Sequence, residues 1–156
     1  WIKSPSGNGA VMVIPVTPSG LHLMIKVYRH PSKQYLWEFP AGVMEDGETP
    51  IESARRELVE ETGITPESLE LLGSQIPVAG ITGLPFHSLL AKIPEIQVEE
   101  VAIQREEGIV DARLLTRKEL IELVTTEEVS DGVTLTTLAR YWMWLELRHE
   151  SSQEQA

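Results

Sequence analysis

The chain has 156 residues, of which 42% are hydrophobic, and its formal net charge is −11. That length supports one domain with its own core, and we predict a single domain over residues 1–156. A strongly acidic chain repels phosphate backbones and anionic lipid surfaces, which argues against nucleic-acid and membrane partners. There is no cysteine, so disulfides, thiolate zinc sites and a cysteine nucleophile are excluded, and we expect a cytoplasmic location.

The first predicted elements are short strands separated by turn residues. The β-rich segments 10–16 and 21–28 flank the turn sequence Pro-Ser-Gly and predict a hairpin. Residues 36–39 predict a further short strand that ends at a proline. The first third of the chain therefore predicts sheet structure, ahead of any helix.

A helix is predicted over residues 49–61, with clear signals at both ends. Thr49 is the expected N-cap, followed by proline at the first helical position and by Glu52 in the capping-box position. Gly63 suits the position just past the helix end. The side chains expected to face the core are those of Ile51, Ala54 and Leu58.

The second half of the chain predicts three strands and two helices. The strands cover residues 69–75, 86–93 and 108–115. One helix follows Thr116, with Glu119 in its capping-box position, and another covers residues 133–147. The core-facing residues expected on the last helix are Leu135, Leu138, Trp142 and Leu145. The polar tail 150–156 is expected to fray, and the order of elements predicts an α+β fold with a mixed sheet between helices.

Three carboxylates are concentrated on the first predicted helix. Glu57, Glu60 and Glu61 are spaced so that they share one helix face. Like charges at this spacing oppose helix formation by a few tenths of a kcal/mol per pair, roughly. Two interpretations remain open from the residues alone. The cluster is either a solvated acidic face or a site for a divalent cation, because hard cations take carboxylate oxygens.

The surrounding sequence favours the second interpretation. Gly42 is followed after five residues by Glu48, and after seven more by the sequence Arg-Glu-Leu-Val-Glu-Glu-Thr-Gly-Ile, residues 56–64. This pattern resembles the Nudix box in every specified position, over residues 42–64. The resemblance implies an αβα sandwich that hydrolyses the pyrophosphate of a nucleoside diphosphate linked to another group. It also implies a divalent cation, magnesium or alternatively manganese.

The resemblance assigns a role to each part of the box. Glu57 and Glu61 correspond to the main metal ligands, and Glu60 lies in or beside the same shell. The backbone carbonyl of Ala41 is a further expected ligand. Chemically, cations offset the charge of pyrophosphate and lower the pKa of a bound water, so carboxylates held on a capped helix suit this reaction.

Other box residues are expected to support those ligands. Arg56 is expected to orient the carboxylates by ion pairing, and Glu48 to brace the loop or the arginine. Gly42 is expected to allow a tight turn that brings the backbone close to the metal. Gly63 has a structural role at the end of the helix.

The stretch YRHPSKQYLWEFPAG, residues 28–42, is similar to the ADP-ribose pyrophosphatase branch of the family. The similarity implies that Arg29 binds phosphate and that Glu38 contacts the nucleotide. The later loop departs from that branch, because Ala79 stands where a second proline is expected and Ile76 where an aromatic residue is expected. The expected reaction is ADP-ribose to AMP and ribose 5-phosphate, with NDP-sugars or dinucleoside polyphosphates as alternative substrates.

Further expectations concern the base, the assembly and a non-enzymatic alternative. The branch often supplies its general base from a later loop, which here favours Glu106 or Glu107. ADP-ribose pyrophosphatases commonly form homodimers, and we expect the same here. The alternative from a different class is a Nudix-fold sensor that binds a nucleotide without cleaving it. The complete set of glutamates argues against a sensor, which has no need of every metal ligand.

Overall fold

The structure, a computed structural model, describes residues 9–153, with the backbone alone for 149–153. The strands are β1 (Ala10–Val16), β2 (His22–Arg29), β3 (Gln34–Glu38), β4 (Ala41–Val43), β5 (Ser68–Gln75), β6 (Phe86–Lys92) and β7 (Ile109–Leu115). The helices are α1 (Pro50–Thr62), α2 (Arg117–Thr125) and α3 (Gly132–Gln153), with 3₁₀ turns at Val98–Glu100 and Arg105–Glu107. Between residues 9 and 153, no helix is long and apolar enough to cross a membrane.

The seven described strands form one sheet, which is mixed as predicted. Its main path runs β3-β2-β1-β6-β5, while β4 pairs with β1 and β7 pairs with β2. The pair β1–β6 is parallel and the other described pairs are antiparallel. β1 and β2 pair at Val16 and His22, next to the turn that joins them. Away from that turn they take different partners, so β4 can pair with the start of β1.

Alternation along β1 creates two cores, one on each face of the sheet. Val11 and Val13 pack with Ala54 and Leu58 of α1. Met12 and Ile14 point to the other face, where the cluster contains the residues Leu120 and Leu123 of α2 and Leu138 and Tyr141 of α3. Successive strand residues point to opposite faces, so a strand with both faces covered is apolar throughout. The sheet therefore lies between α1 and the pair α2 and α3, which confirms the predicted αβα sandwich.

The first helix begins and ends where its capping residues predict. The Thr49 side chain accepts a hydrogen bond from the Glu52 N–H, and the Glu52 carboxylate accepts from the Thr49 N–H at 2.8 Å. Gly63 ends the helix with a φ of 72°, in the left-handed region that glycine adopts most easily. The prediction for Ile51 was wrong, because its side chain is 45% exposed. The buried face is rotated toward Ser53, Glu57 and Glu61, which leaves Ile51 at its rim.

The remaining elements match the prediction apart from their ends and one missed strand. β4 was not predicted, nor were the two 3₁₀ turns. Thr116 caps α2 with Glu119 as its capping-box partner, as expected. On α3, Leu138 is buried, while Leu135, Trp142 and Leu145 are partly buried against the same core. α3 runs on to Gln153, so the first part of the tail 150–156 is helical, and residues 154–156 lie outside the described part of the chain.

Candidate active site

The helix α1 buries two of its three clustered carboxylates. Glu57 is 7% exposed and Glu61 is 6% exposed, and both lie among the buried residues of the helix. The Glu60 side chain is 47% exposed. A solvated acidic face therefore describes Glu60 and does not describe the other two. Ionised carboxylates are almost never buried to this extent without a partner, so the environment of this pair has chemical significance.

The glycine that opens the box lies directly against one of these carboxylates. A Cβ atom added to Gly42 would lie 2.0 Å from Oε1 of Glu57. A side chain at this position would have to displace the Glu57 carboxylate. The expected tight turn at Gly42 was wrong, since the residue lies in β4 and its φ is outside the left-handed region. Glycine is required here because strand and helix approach closely, and pairing with β1, Gly42 opposite Val11, holds the strand in place.

Arg56 connects the loop to the carboxylates. Its Nε and one terminal nitrogen donate to the two oxygens of Glu48, at 2.8 and 3.0 Å. Its other terminal nitrogen donates to Glu57 at 2.8 Å and to Glu60 at 3.0 Å. A further hydrogen bond of 3.1 Å reaches the Val43 carbonyl. The arginine thus holds its carboxylate neighbours by ion pairing, in the arrangement expected from the sequence.

Glu48 braces both the loop and the arginine. Besides Arg56 it accepts a hydrogen bond from the Glu45 N–H at 2.8 Å. The hydrogen bonds from Arg56 lower the pKa of Glu48 to about 2. Glu48 is therefore an anion at neutral pH, and its two oxygens hold the Arg56 guanidinium. This geometry agrees with the bracing role expected for Glu48.

Burial and mutual repulsion shift the titration of the inner carboxylates. Burial is the largest cause that raises the pKa of Glu61 to about 8, and the charges of Glu57 and Glu107 raise it further. The hydrogen bond from the Ala41 N–H, at 3.0 Å, acts in the opposite direction. Burial also raises the pKa of Glu57, against the stabilising effect of Arg56. A cation bound between these two neighbouring carboxyl groups would lower their pKa values and so favour their charged forms.

The present contacts of these carboxylates are with protein groups. The backbone N–H of Ala41 is engaged by Glu61, and Glu57 is engaged by Arg56. Among the side chains that the structure describes, those of residues 9–148, no three histidine or carboxylate groups converge in a way that could hold a metal ion. The two carboxylates could serve as ligands of a cation. In this structure Arg56 donates to Glu57, and the Ala41 N–H donates to Glu61.

The two candidates for the general base differ in their position. Glu106 and Glu107 both lie on the exposed 3₁₀ turn Arg105–Glu107 that precedes β7. The charge of Glu107 acts on both Glu57 and Glu61, raising the pKa of each. Glu107 therefore lies close enough to the buried pair to influence its titration. Which of the two residues is the general base stays a prediction.

The predicted substrate residues form a bonded pair beside the carboxylates. Arg29 at the end of β2 donates from Nε to Glu38 at 2.9 Å, and a second parallel hydrogen bond closes the pair. Glu38 is buried, while the Arg29 side chain is 45% exposed. The hydrogen bonds of Glu38 raise the pKa of Arg29, with smaller effects from Asp131 and Glu61. Glu38 thus fixes the guanidinium, whose remaining N–H groups face outward.

Sequence reasoning missed Asp131, which lies near Arg29. Asp131 precedes α3, and its carboxylate accepts hydrogen bonds from the N–H and hydroxyl of Thr134, at 2.7 and 2.9 Å. An aspartate three residues before a threonine at a helix start signals an N-cap in the sequence. That signal gives its local role alone. Its proximity to Arg29 depends on how α3 packs against the sheet.

The loop that departs from the expected pattern lies on the surface. The segment between β5 and β6 forms a turn in which the Ile81 N–H donates to the Val78 carbonyl at 2.9 Å. Ile76 is 49% exposed and Ile81 is 65% exposed. Ala79 lies within this turn and is exposed too.

Comparisons with known proteins identify the family to which these site residues belong. Residues 8–137 match the NUDIX domain. The chain is 34% identical over 133 residues to an ADP-ribose pyrophosphatase of Bacillus subtilis (strain 168), an alignment that covers 85% of this chain and 70% of the relative. It is 32% identical over 142 residues to a methanol dehydrogenase activator of Bacillus methanolicus, covering 91% and 76% of the two chains.

Two further relatives extend the comparison. An ADP-sugar pyrophosphatase of Mus musculus is 40% identical over 88 residues, which are 54% of this chain and 40% of that protein. Among solved structures, an ADP compounds hydrolase superposes with a TM-score of 0.74 at 19% identity, covering 89% of this chain and 73% of the other. The structural likeness supports the fold. Because the domain match spans most of the sequence and the box residues lie together in the structure, this chain belongs to the Nudix family of hydrolases.

Proposed function

We propose that this protein hydrolyses the pyrophosphate bond of ADP-ribose, with magnesium as cofactor and AMP and ribose 5-phosphate as products. The observation that carries the proposal is the burial of Glu57 and Glu61 against Gly42, beside the outward-facing guanidinium of Arg29. The similarity to an ADP-ribose pyrophosphatase over 85% of the chain supports the substrate.

The donor set fits a divalent cation. Glu57 and Glu61 would hold it, with Glu60 and the Ala41 carbonyl beside them, because oxygen ligands suit magnesium and manganese. Burial without enough compensating positive charge raises the pKa of both inner acids, and a cation supplies that charge. When bound, such an ion neutralises the pyrophosphate and makes a coordinated water more acidic. Arg56 donates to Oε1 of Glu57, so Oε2 is the oxygen that such an ion would take first.

The other residues bind and orient the substrate. Arg29, fixed by Glu38, presents N–H groups toward a phosphate, and a guanidinium is well matched to phosphate oxygens. Arg56 holds Glu60 and Glu48 in place, so the carboxylates keep their orientation. Glu107 would accept the proton of the attacking water, since it is exposed to solvent and its charge acts on the inner pair.

A substrate panel tests the reaction. The protein would be incubated with magnesium and with ADP-ribose, an ADP-sugar, a UDP-sugar or a dinucleoside polyphosphate, and the products separated by chromatography. We expect AMP to be released fastest from ADP-ribose. Faster cleavage of a sugar nucleotide would support pyrophosphate hydrolysis as the reaction but would replace ADP-ribose as the proposed substrate. Nucleotide binding without cleavage of any member would favour the sensor alternative and reject the proposal.

The cofactor is tested by thermal unfolding with and without magnesium. A ligand that binds only the folded state stabilises it by RT ln(1 + [L]/Kd), which is about 1 kcal/mol when the ion is at about five times its Kd. We expect millimolar magnesium to raise the Tm of the wild-type protein and to have no effect on a variant with both Glu57→Gln and Glu61→Gln. Equal shifts in both proteins would place the ion elsewhere.

The assembly and the location of the protein are also proposals. We infer a homodimer from the family resemblance, and light scattering on a size-exclusion column would give the molar mass in solution. A monomer at micromolar concentration would reject it. The lack of cysteine supports a cytoplasmic location, and cell fractionation would test that assignment.

A further inference from the structure

A cleft lies on the face of the sheet opposite the buried carboxylates. It has a volume of about 370 Å³ and is bounded by β3 and by the loop between α2 and α3. Its inner wall includes Trp37, which belongs to the hydrophobic core between the sheet and the helices α2 and α3. Trp37 is not part of the core under α1. Lys26 pairs with Trp37 across the strands, so both side chains lie on this face. The cleft is therefore separated from Glu57 and Glu61 by the sheet.

Unusual backbone conformations coincide at this cleft. Lys33 has a φ of 54° and Glu127 a φ of 62°, and between residues 9 and 153 these are the non-glycine residues with positive φ. Both line the cleft. A side chain in the left-handed region costs free energy that glycine avoids, and such strain concentrates at ligand sites. Two such residues therefore lie in the walls of the same cleft, one on each side.

The walls of the cleft carry groups without protein partners. Lys33, Glu127 and Glu128 form no ion pair with any other residue of the described chain. The indole N–H of Trp37, a residue 1% exposed, has no acceptor among the described residues. That nitrogen is buried beneath the cleft, and Lys26 and Arg113 lie over the ring, so the groups open to a ligand are the charged side chains.

An aromatic surface completes the cleft. Tyr35 is 54% exposed, and its ring lies 5.0 Å from that of Tyr28, which supports it from one side. A half-exposed ring beside charged groups can stack on a planar ligand, and stacking of a base on an aromatic side chain is worth about 1–3 kcal/mol. The cleft thus offers an aromatic face, ammonium groups, and carboxylates within one small volume.

We propose that this cleft binds a nucleoside monophosphate whose base carries an amino group. The base would stack on Tyr35, its amino group would donate to Glu127 or Glu128, and the phosphate would lie near Lys33. The volume is within the range of small-molecule sites. A small zwitterion such as a free amino acid would use the charges but leave the Tyr35 ring without a partner. This site is distinct from the proposed hydrolytic site and does not depend on hydrolysis.

Binding of AMP to the protein in EDTA tests the proposal, since the inner carboxylates then have no cation. Affinity would be measured by calorimetry, and the position by NMR on ¹⁵N-labelled protein. We expect AMP to shift the amide signals of Tyr35, Glu127 and Glu128. We expect Tyr35→Ala and Lys33→Gly each to weaken binding about tenfold. Lys33→Gly removes the ammonium while accepting the left-handed backbone, so this variant keeps its fold.

Controls separate the two sites and the parts of the ligand. Arg29→Ala removes a residue of the hydrolytic site, and its affinity for AMP in EDTA should equal that of the wild type. Adenosine and ribose 5-phosphate, each lacking one half of AMP, should bind more weakly than AMP. Signals that shift around Arg29 and α1 alone would overturn the proposal. It would equally be overturned by unchanged affinity in Lys33→Gly, or by binding of a free amino acid in place of AMP.

Discussion

The two faces of the sheet bury polar side chains in different ways. On the α3 side, Ser88 and Thr137 are fully buried and lie within hydrogen-bond distance of each other, at 2.9 Å. Gln75 donates to both, at 2.7 and 3.1 Å. On the α1 side, Glu57 and Glu61 are buried side by side, and the pKa of each is raised, chiefly by burial.

The difference separates structural polarity from chemical function. A neutral network in which every member has a partner holds two elements together at low cost. Two neighbouring acids that burial pushes toward their neutral forms give no such benefit to the fold. The caps of α1, the ion pair with Arg56 and the space left by Gly42 hold the two acids in place. Because the fold gains little from burying them, we infer that they bind a charged ligand. The following variants break or sharpen this contrast.

The largest effect is expected from Glu61→Gln. The amide keeps the size of the side chain but removes the charge that would hold a cation, and loss of several kcal/mol of transition-state stabilisation lowers the rate about a thousandfold or more. Because Glu61 is destabilised as an anion, the variant should unfold at the same temperature as the wild type or higher. Initial rates of ADP-ribose cleavage and thermal scans measure both.

A matched control lies on the exposed surface. Glu122→Gln on α2 removes a carboxylate whose neighbour Lys118 is 3.8 Å away, both side chains being exposed. Activity and stability should stay within error of the wild type, since exposed ion pairs contribute little. Glu61→Gln activity close to that of this control would remove Glu61 from the catalytic mechanism.

Gly42→Ala should lower activity while retaining the fold. The added Cβ meets the Glu57 carboxylate, a flexible side chain that has to move away. Displacement of a catalytic group by about 1 Å can cost about a hundredfold in rate. The comparison is Gly83→Ala, where an added Cβ meets nothing within 4 Å. Equal rates for the two alanine variants would show that Glu57 has no fixed position in the reaction.

Thr137→Val breaks the network on the other face. The hydroxyl is lost while Ser88 and Gln75 remain buried around it, and an unsatisfied buried group costs about 1–3 kcal/mol. Urea unfolding should show that loss in the free energy of unfolding. Turnover of ADP-ribose should change little at a temperature where the variant is folded. A large loss of activity with unchanged stability would reverse the roles assigned to the two faces.

The α1 side of this contrast was largely visible in the sequence, because the features of α1 are local. Thr49 and Glu52 are three residues apart, and Glu57 and Glu61 are four apart, so helix geometry alone brings each pair together. The fold class followed from the order of strands and helices. Burial of the carboxylates did not follow, as the exposed position of Ile51 illustrates.

The parts that were missed depend on distant partners. β4 has three residues and no pattern of its own, and it is a strand because it pairs with the start of β1. The reason for Gly42 is likewise the position of Glu57, on another element. Asp131 reaches the neighbourhood of Arg29 through the packing of α3. Tertiary contacts of this kind leave no periodic signal in the sequence.

The smallest effect concerns His22, a buried residue on the α3 side. Its Nδ1 lies 3.3 Å from the Leu115 carbonyl, and its ring contacts Tyr141 edge to face. Burial lowers the pKa of His22 below the ordinary value of 6.5. Above that value the ring is neutral in both states. As pH falls below it, the unfolded chain takes up the proton first, so stability is lost until the folded state titrates as well.

His22→Gln removes this dependence and tests whether the α3 side tolerates charge. Between about pH 7 and about pH 5, the wild-type free energy of unfolding should fall more than that of the variant, because only the wild type has this histidine to protonate. Urea unfolding at a series of pH values gives the difference curve. If the difference in the free energy of unfolding does not change with pH, the His22 ring accepts a proton in the folded state as easily as in the unfolded chain. The α3 face would then accept a buried charge without penalty, in contrast to the α1 face, where burial raises the pKa of Glu57 and Glu61.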